Sequence, residues 1–187
     1  HARGQQRWRL DGPTFGDFEL SWLAPDLVGY TRITAAAGSG VDPLLDTQAM
    51  VVALAPDGSA SERLGLGTQL AGGPAFEPQE FPAIASLGST TLAFGMGLGA
   101  RADMRLMVTP LDALRAGSPR WQPLAGYEDQ VGAADMFGDH LYWLSTRESS
   151  NGAVYRRRVT VDGIGPVEPV LAAGELILSS VVATGDG

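Results

Sequence analysis

Apolar residues occur along this chain in short runs of about four to seven, separated by turn-forming residues. Continuous apolar runs of this length, bounded by Gly, Pro, Asp and Ser, are typical of buried β-strands. The one helix candidate is Pro110–Gly117, which predicts at most two turns, with Thr109 as the N-cap and Gly117 as the stop. The pattern therefore predicts an all-β protein with little helix.

The same hairpin pattern recurs along the chain, with starts near residues 18, 83, 131 and 176. Each copy reads as a strand of small residues, a two-residue turn of Pro, Gly, Asp or Ser type, and a second strand that is aromatic in most copies. Two further candidate strands follow each of the first three hairpins. The fourth copy, Leu176–Val182, contains only its first strand before the sequence ends.

Repeats of about 40 to 50 residues with four antiparallel strands each are typical of β-propeller blades. The sequence thus predicts a partial β-propeller over residues 18–187, with three blades and the start of a fourth, after an N-terminal lead-in over residues 1–17. The first repeat is lengthened by two loops, Thr34–Gln48 and Thr68–Pro82. The alternative is a β-sandwich, although most strands lack the regular in-and-out alternation of that fold.

The second strand of a blade packs against both neighbouring blades, so its aromatic residues are expected between blades. We place five aromatic residues there: Trp22, Tyr30, Phe94, Tyr142 and Trp143. Closed propellers have roughly 4 to 8 blades, so three blades leave two apolar blade faces exposed. We expect a longer parent protein or, for the isolated segment, self-association.

Composition narrows the function classes. The formal net charge is −8, and all 13 basic residues are arginines, which disfavours nucleic acid as a partner. No apolar run approaches the roughly 18 residues that span a bilayer, and the N-terminus has no signal-peptide pattern, so we expect a soluble protein, with the cytoplasm preferred. The absence of cysteine excludes thiolate metal sites and cysteine nucleophiles.

The sequence contains no recognisable catalytic, cofactor-binding or metal-binding constellation. His140 opens a strand beside Asp139, but no G-x-S-x-G motif accompanies it, so we interpret it as structural. The glycine run Gly95–Gly99 lacks the spacing and the following helix of a phosphate loop, and we interpret it as a flexible strand end. We therefore assign no cofactor.

Arg156, Arg157 and Arg158 form the one cluster of charge that is a candidate interaction site. In a strand, Arg156 and Arg158 point to one face and Arg157 to the other. They could bind the carboxylates of an acidic partner. The alternative is a solvated outer strand whose charges protect a sheet edge from aggregation.

Three stretches resemble the propeller domain of bacterial prolyl oligopeptidase family (S9) serine peptidases. Leu111–Leu124, continuing to Asp129-Gln130-Val131, is similar to that family's Trp-x-x-Leu strand and Asp-x-Val blade start. Gly138–Ser145 is similar to its Gly-Asp-x-Leu-Tyr-x-Leu-(Ser/Thr) strand, and Leu20–Leu23 before Gly29–Arg32 to its Trp-Leu…Tyr-(Thr/Ala)-Arg hairpin. The chain departs from the family at Ser149-Ser150, where many members have Ala-Pro.

The resemblance implies a non-catalytic domain that caps a separate α/β-hydrolase domain and restricts the access of peptides to it. The partners it implies are that hydrolase domain and peptide substrates. No catalytic residue carries over, because nothing in these 187 residues matches the family's catalytic motifs. The alternative function is a stand-alone propeller that serves as a protein-interaction module.

Overall fold

The computed structural model describes residues 20–35, 38–99, 102–182 and 184. The described chain is all-β, with strands in three antiparallel sheets of four or five strands each, and no closed sheet. The predicted lead-in over residues 1–17 lies outside the described residues. The sheets follow one another in sequence order as propeller blades do, so the predicted propeller-type fold is confirmed and the sandwich alternative is dropped.

Sheet 1 has the strand order β1-β2-β3-β4. Its strands are β1 (Ser21–Ala24), β2 (Leu27–Arg32), β3 (Gln48–Leu54) and β4 (Ala60–Leu66). The turn between β3 and β4 is closed by Asp57, whose carboxylate accepts the Ser59 N–H at 2.9 Å, while Gly58 adopts a positive φ of 86°.

Sheet 2 has the order β5-β6-β7-β8 and is the central sheet. Its strands are β5 (Phe81–Ala85), β6 (Leu92–Leu98), β7 (Arg105–Pro110) and β8 (Gln122–Ala125). The helix α1 (Leu111–Arg115) lies between β7 and β8. The predicted helix exists, but its N-cap is Pro110 and not Thr109, because the Thr109 hydroxyl accepts the Arg120 N–H at 3.0 Å instead.

Sheet 3 starts after a 3₁₀ turn over Tyr127–Asp129 and has β10 and β11 at its centre. Its strands are β9 (Val131–Phe137), β10 (His140–Ser145), β11 (Ala153–Thr160), β12 (Gly163–Ile164) and β13 (Glu168–Leu171). Both β12 and β13 pair with β11, so the fourth strand of this blade is split in two.

Two apolar clusters join the three sheets, one on each face of sheet 2. The first cluster packs sheet 1 against sheet 2 and includes Leu27, Val51, Leu66 and Ile84. The second packs sheet 2 against sheet 3 through β6 and β10. Because sheet 2 is covered on both faces, its strand β6 is buried along most of its length, which explains the apolar run without alternation.

The glycines in β6 correct one prediction, since this run is a central strand and not a flexible end. A Cβ at Gly95 would lie 2.8 Å from Cγ of Met107 and 2.9 Å from Cδ2 of Leu66. A Cβ at Gly97 would lie 2.7 Å from Nε of Arg105. The glycines therefore make room for side chains from neighbouring strands.

The predicted strand over Leu176–Val182 is wrong, because no strand occurs there. A β-prone sequence needs a neighbouring strand to satisfy its backbone groups, and this segment has a single backbone contact of that kind, the Leu178 N–H donating to the Asn151 carbonyl at 2.8 Å. The described part of the chain thus contains three blades and no fourth strand pair.

Candidate functional site

Two of the five predicted interblade aromatics lie between sheets. Phe94 of sheet 2 and Trp143 of sheet 3 are both buried in the second apolar cluster. The Trp143 ring stacks on Tyr155 of the neighbouring strand, with 5.9 Å between ring centroids and 25° between planes. These contacts fix the angle between sheets 2 and 3.

The other three aromatics lie on the two outer faces of the stack. Tyr30 is buried against Met50 and Val52 on the face of sheet 1 that points away from sheet 2. Tyr142 is half-buried on the corresponding face of sheet 3. No sheet of the described chain covers either face, so an interblade position for these two residues stays a prediction.

Trp22 is 58% exposed in the described chain, where no sheet covers it, so its interblade position also stays a prediction. Trp22 pairs with Val28, which pairs with Val52, so all three share the outer face of sheet 1. On the outer face of sheet 3, two further exposed apolar residues, Phe137 and Val182, line one pocket with Tyr142.

His140 does not belong to a catalytic triad among the described residues. Its Nδ1 lies 2.7 Å from Oδ1 of Asp139, and the same carboxylate accepts the Nε–H of Arg158 at 2.5 Å. The hydrogen bond from Arg158 lowers the pKa of Asp139 below its usual value. This group closes the β9–β10 turn, which agrees with the structural interpretation of His140.

The three consecutive arginines alternate between faces as predicted, but each is held by a partner in the chain. Arg156 donates to Glu168 at 2.9 Å, and Arg158 pairs with Asp139. Arg157 donates to the Leu124 carbonyl at 2.7 Å and to the Gly165 carbonyl at 2.8 Å, linking sheet 3 to sheet 2. These contacts occupy part of each guanidinium, and the binding of an acidic partner by this cluster stays a prediction. Among the described residues β11 is not a sheet edge, because β12 and β13 pair with it.

A cavity of about 560 Å³ opens where the loop before β5 meets the start of β7 and the 3₁₀ turn. At its base Glu80 forms an ion pair with Arg105, with Nε–Oε1 at 2.9 Å and Nη2–Oε2 at 3.0 Å. The Glu80 side chain is 7% exposed and that of Arg105 is 20% exposed. A carboxylate this buried needs such partners, because the desolvation of an unpaired charge is costly.

Further contacts fix the ion pair in place. The Glu77 N–H donates to Oε2 of Glu80 at 2.6 Å, and the Tyr127 hydroxyl donates to Oε1. The guanidinium of Arg105 lies over the Phe76 ring, with Cζ 4.2 Å from the centroid. Burial, and after it the hydrogen bond to Glu80, raises the pKa of Tyr127 well above its usual value. The phenol therefore stays protonated and keeps donating.

The comparisons with known proteins concern the whole chain. No protein-family model and no curated protein matches it. Among solved structures, the chain is similar to a prolyl endopeptidase. That structure belongs to a structural and mechanistic study of two prolyl endopeptidases, concerned with the role of inter-domain dynamics in catalysis and specificity. The match has a TM-score of 0.61 at 14% sequence identity, and it covers 83% of this chain and 21% of the endopeptidase chain.

At 14% identity the likeness to the prolyl endopeptidase establishes the fold alone, and the chain spans about a fifth of that protein's length. The described residues contain no group of three or more His, Cys, Asp or Glu side chains arranged to hold a metal ion. None of their helices has the length and apolar character needed to cross a bilayer.

The Glu80–Arg105 site is not visible in the sequence pattern, for a physical reason. Glu80 and Arg105 are 25 residues apart, and neither belongs to a recognisable motif. The one local signal is the acidic pair Glu77 and Glu80 in a loop rich in Pro and Gly, directly before an apolar strand. That signal does not reveal which cation reaches the carboxylate.

Proposed function

We propose that this chain is a non-catalytic propeller segment of a prolyl oligopeptidase-like serine peptidase. In this role it acts as scaffold and gate, restricting which peptides reach a hydrolase domain elsewhere in the parent protein. The observation that carries the proposal is the match to a prolyl endopeptidase over 83% of this chain. The motif resemblance at Gly138–Ser145 supports it independently of that match.

The arrangement of the sheets fits a gating role. Blades packed through large apolar clusters form a stiff wall, and a stiff wall selects substrates by size, because folded proteins do not fit through a narrow opening. The two outer faces, with Tyr30 and Tyr142, are suited to further blades of the same ring. The competing function is an interaction module with no enzyme attached.

The first test is the coding sequence that flanks these 187 residues. The proposal expects an α/β-hydrolase domain with a G-x-S-x-G motif in the same reading frame. A complete reading frame without a hydrolase domain would contradict the proposal and favour the interaction module.

The second test measures gating in the intact parent protein. Cleavage of a short chromogenic peptide is compared with cleavage of a polypeptide of about 30 residues, in the wild type and in Trp143→Ala. Loosening the contact between sheets 2 and 3 should raise the rate on the long substrate relative to the short one. The matched control is Val161→Ala, which changes an exposed apolar side chain in the β11–β12 turn and should leave the ratio unchanged. An unchanged ratio in Trp143→Ala, with the protein still folded, argues against gating by this segment.

A further inference from the structure

The cavity above the Glu80–Arg105 ion pair has the size and lining of a binding site. Its volume of about 560 Å³ lies within the range of pockets that hold small ligands. Its lining combines the aromatic rings of Phe76 and Tyr127 with charged groups from Glu77, Glu80 and Arg105. Convergent polar groups on an aromatic surface are typical of ligand sites.

Arg105 is held in one orientation but keeps donors unused. Its Nε and Nη2 atoms are engaged by Glu80, and Nη2 also donates to the Ala75 carbonyl at 2.5 Å. Within the described part of the chain, Nη1 contacts no acceptor. Stacking on Phe76 further restricts the guanidinium, and the missing Cβ of Gly97 leaves room for the Arg105 side chain. A fixed guanidinium with a free nitrogen is a preorganised donor for a carbonyl or carboxylate oxygen.

Glu77 supplies the complementary acceptor on the rim. Its Oε2 accepts the side-chain amide of Gln79, whereas its Oε1 has no partner among the described residues. Because Arg105 is already neutralised by Glu80, Glu77 leaves the described lining with a net charge of −1. An anionic ligand is therefore disfavoured, while a cation next to a neutral carbonyl is favoured, and the aromatic rings add cation–π attraction.

We propose that this cavity binds a basic residue within a polypeptide segment. The main-chain carbonyl of the segment accepts from Nη1 of Arg105, and its guanidinium or ammonium group pairs with Glu77 against Phe76 and Tyr127. The test of this site does not depend on the proposed peptidase function, because binding is measured on this chain alone.

The test uses three capped tripeptides titrated into the ¹⁵N-labelled 187-residue chain. The probes are Ac-Ala-Arg-Ala-NH₂, Ac-Ala-Ala-Ala-NH₂ and Ac-Ala-Glu-Ala-NH₂, followed by amide chemical shifts. The arginine peptide should shift the amides of Phe76, Glu77 and Gly99 and bind most tightly, while the glutamate peptide binds most weakly. Raising the salt concentration should lower the affinity for the arginine peptide, because salt screens an exposed ion pair.

A matched pair of variants separates this site from general attraction to an acidic chain. Glu77→Gln should lower the affinity for the arginine peptide about two- to fivefold, as expected for the loss of one exposed ion pair. It should leave the affinity for the alanine peptide unchanged. Glu175→Gln removes the same charge from an exposed position outside the cavity and should change neither. The proposal is overturned if the glutamate peptide binds as tightly as the arginine peptide. It is equally overturned if the shifts lie outside the cavity, or if both variants weaken binding alike.

Discussion

Replacing Trp143 with alanine should lower the free energy of unfolding more than a substitution on an outer face does, because Trp143 packs between sheets 2 and 3. Trp143 is 3% exposed and belongs to the cluster that includes Phe94 and Leu141. Removing a large buried aromatic side chain costs about 3–5 kcal/mol, since both its burial and the filled volume are lost. The stacking on Tyr155 accounts for about 0.5–1.5 kcal/mol beyond the buried area.

The control for this experiment is Trp22→Ala, which removes the same side chain from a position that is 58% exposed. Substitutions at exposed positions usually change stability by about 0.5 kcal/mol or less. Urea unfolding followed by far-ultraviolet circular dichroism measures both variants, because tryptophan fluorescence would change with the mutation itself. For a domain of this size the Trp143 variant should lose about 6–20 °C in melting temperature, on a scale of about 2–4 °C per kcal/mol.

The reasoning is refuted if Trp143→Ala costs about 1 kcal/mol or less, or no more than Trp22→Ala. Should Trp143→Ala fail to fold, Trp143→Phe provides the measurement. Phenylalanine keeps an aromatic ring against Tyr155 and removes only part of the volume, so its cost should fall between wild type and the alanine variant. A phenylalanine variant as stable as the wild type would contradict the close packing of the Trp143 ring.

Three further outcomes follow from the geometry. Gly97→Ala should destabilise the chain by about 1–3 kcal/mol, because its Cβ would meet the Arg105 side chain at 2.7 Å, whereas Gly132→Ala, with open space around it, should be nearly neutral in the same urea assay. Tyr30 should titrate late in absorbance at 295 nm, since burial and then its hydrogen bond to Glu62 raise its pKa to about 12 from 10.0. The folded state therefore holds this proton more tightly than the unfolded state. The stability it contributes is complete below pH 10 and declines as the pH rises towards about 12, and titration of every tyrosine near pH 10 would contradict this. The purified chain should hydrolyse neither peptides nor esters, and turnover abolished by a single Ser→Ala substitution would refute that expectation.

The spacing of apolar runs and turn residues predicts the blades, because the strands of each blade are consecutive in sequence. The starts of the three sheets, at Ser21, Phe81 and Val131, lie close to the repeat starts near 18, 83 and 131. Short turns between consecutive strands make these pairings local, and local pairings leave their mark in the spacing of apolar runs and turn residues. The helix over Leu111–Arg115 was found in the same way.

Contacts between residues that are far apart in sequence cannot be predicted from the pattern of apolar and turn residues. Whether Leu176–Val182 forms a strand depends on a partner strand, and composition alone does not supply one. The glycines of β6 looked flexible because the side chains that fill their space, from Met107, Leu66 and Arg105, come from other strands. The partners of Arg157 are backbone carbonyls, which no sequence motif reveals.

The most direct test of the account is whether the two outer faces of the three-blade stack bind protein when nothing else covers them. Exposed apolar residues lie on both faces, Trp22 on one and Phe137 and Val182 on the other. Burying such surface is worth about 25 cal/mol per Å². Sedimentation of the isolated chain at several concentrations and two salt levels measures this directly. We expect self-association that strengthens with salt, because screening weakens the repulsion between chains of net charge −8. A compact monomer at high concentration, indifferent to salt, would contradict the claim that these faces are interblade surfaces of a larger ring.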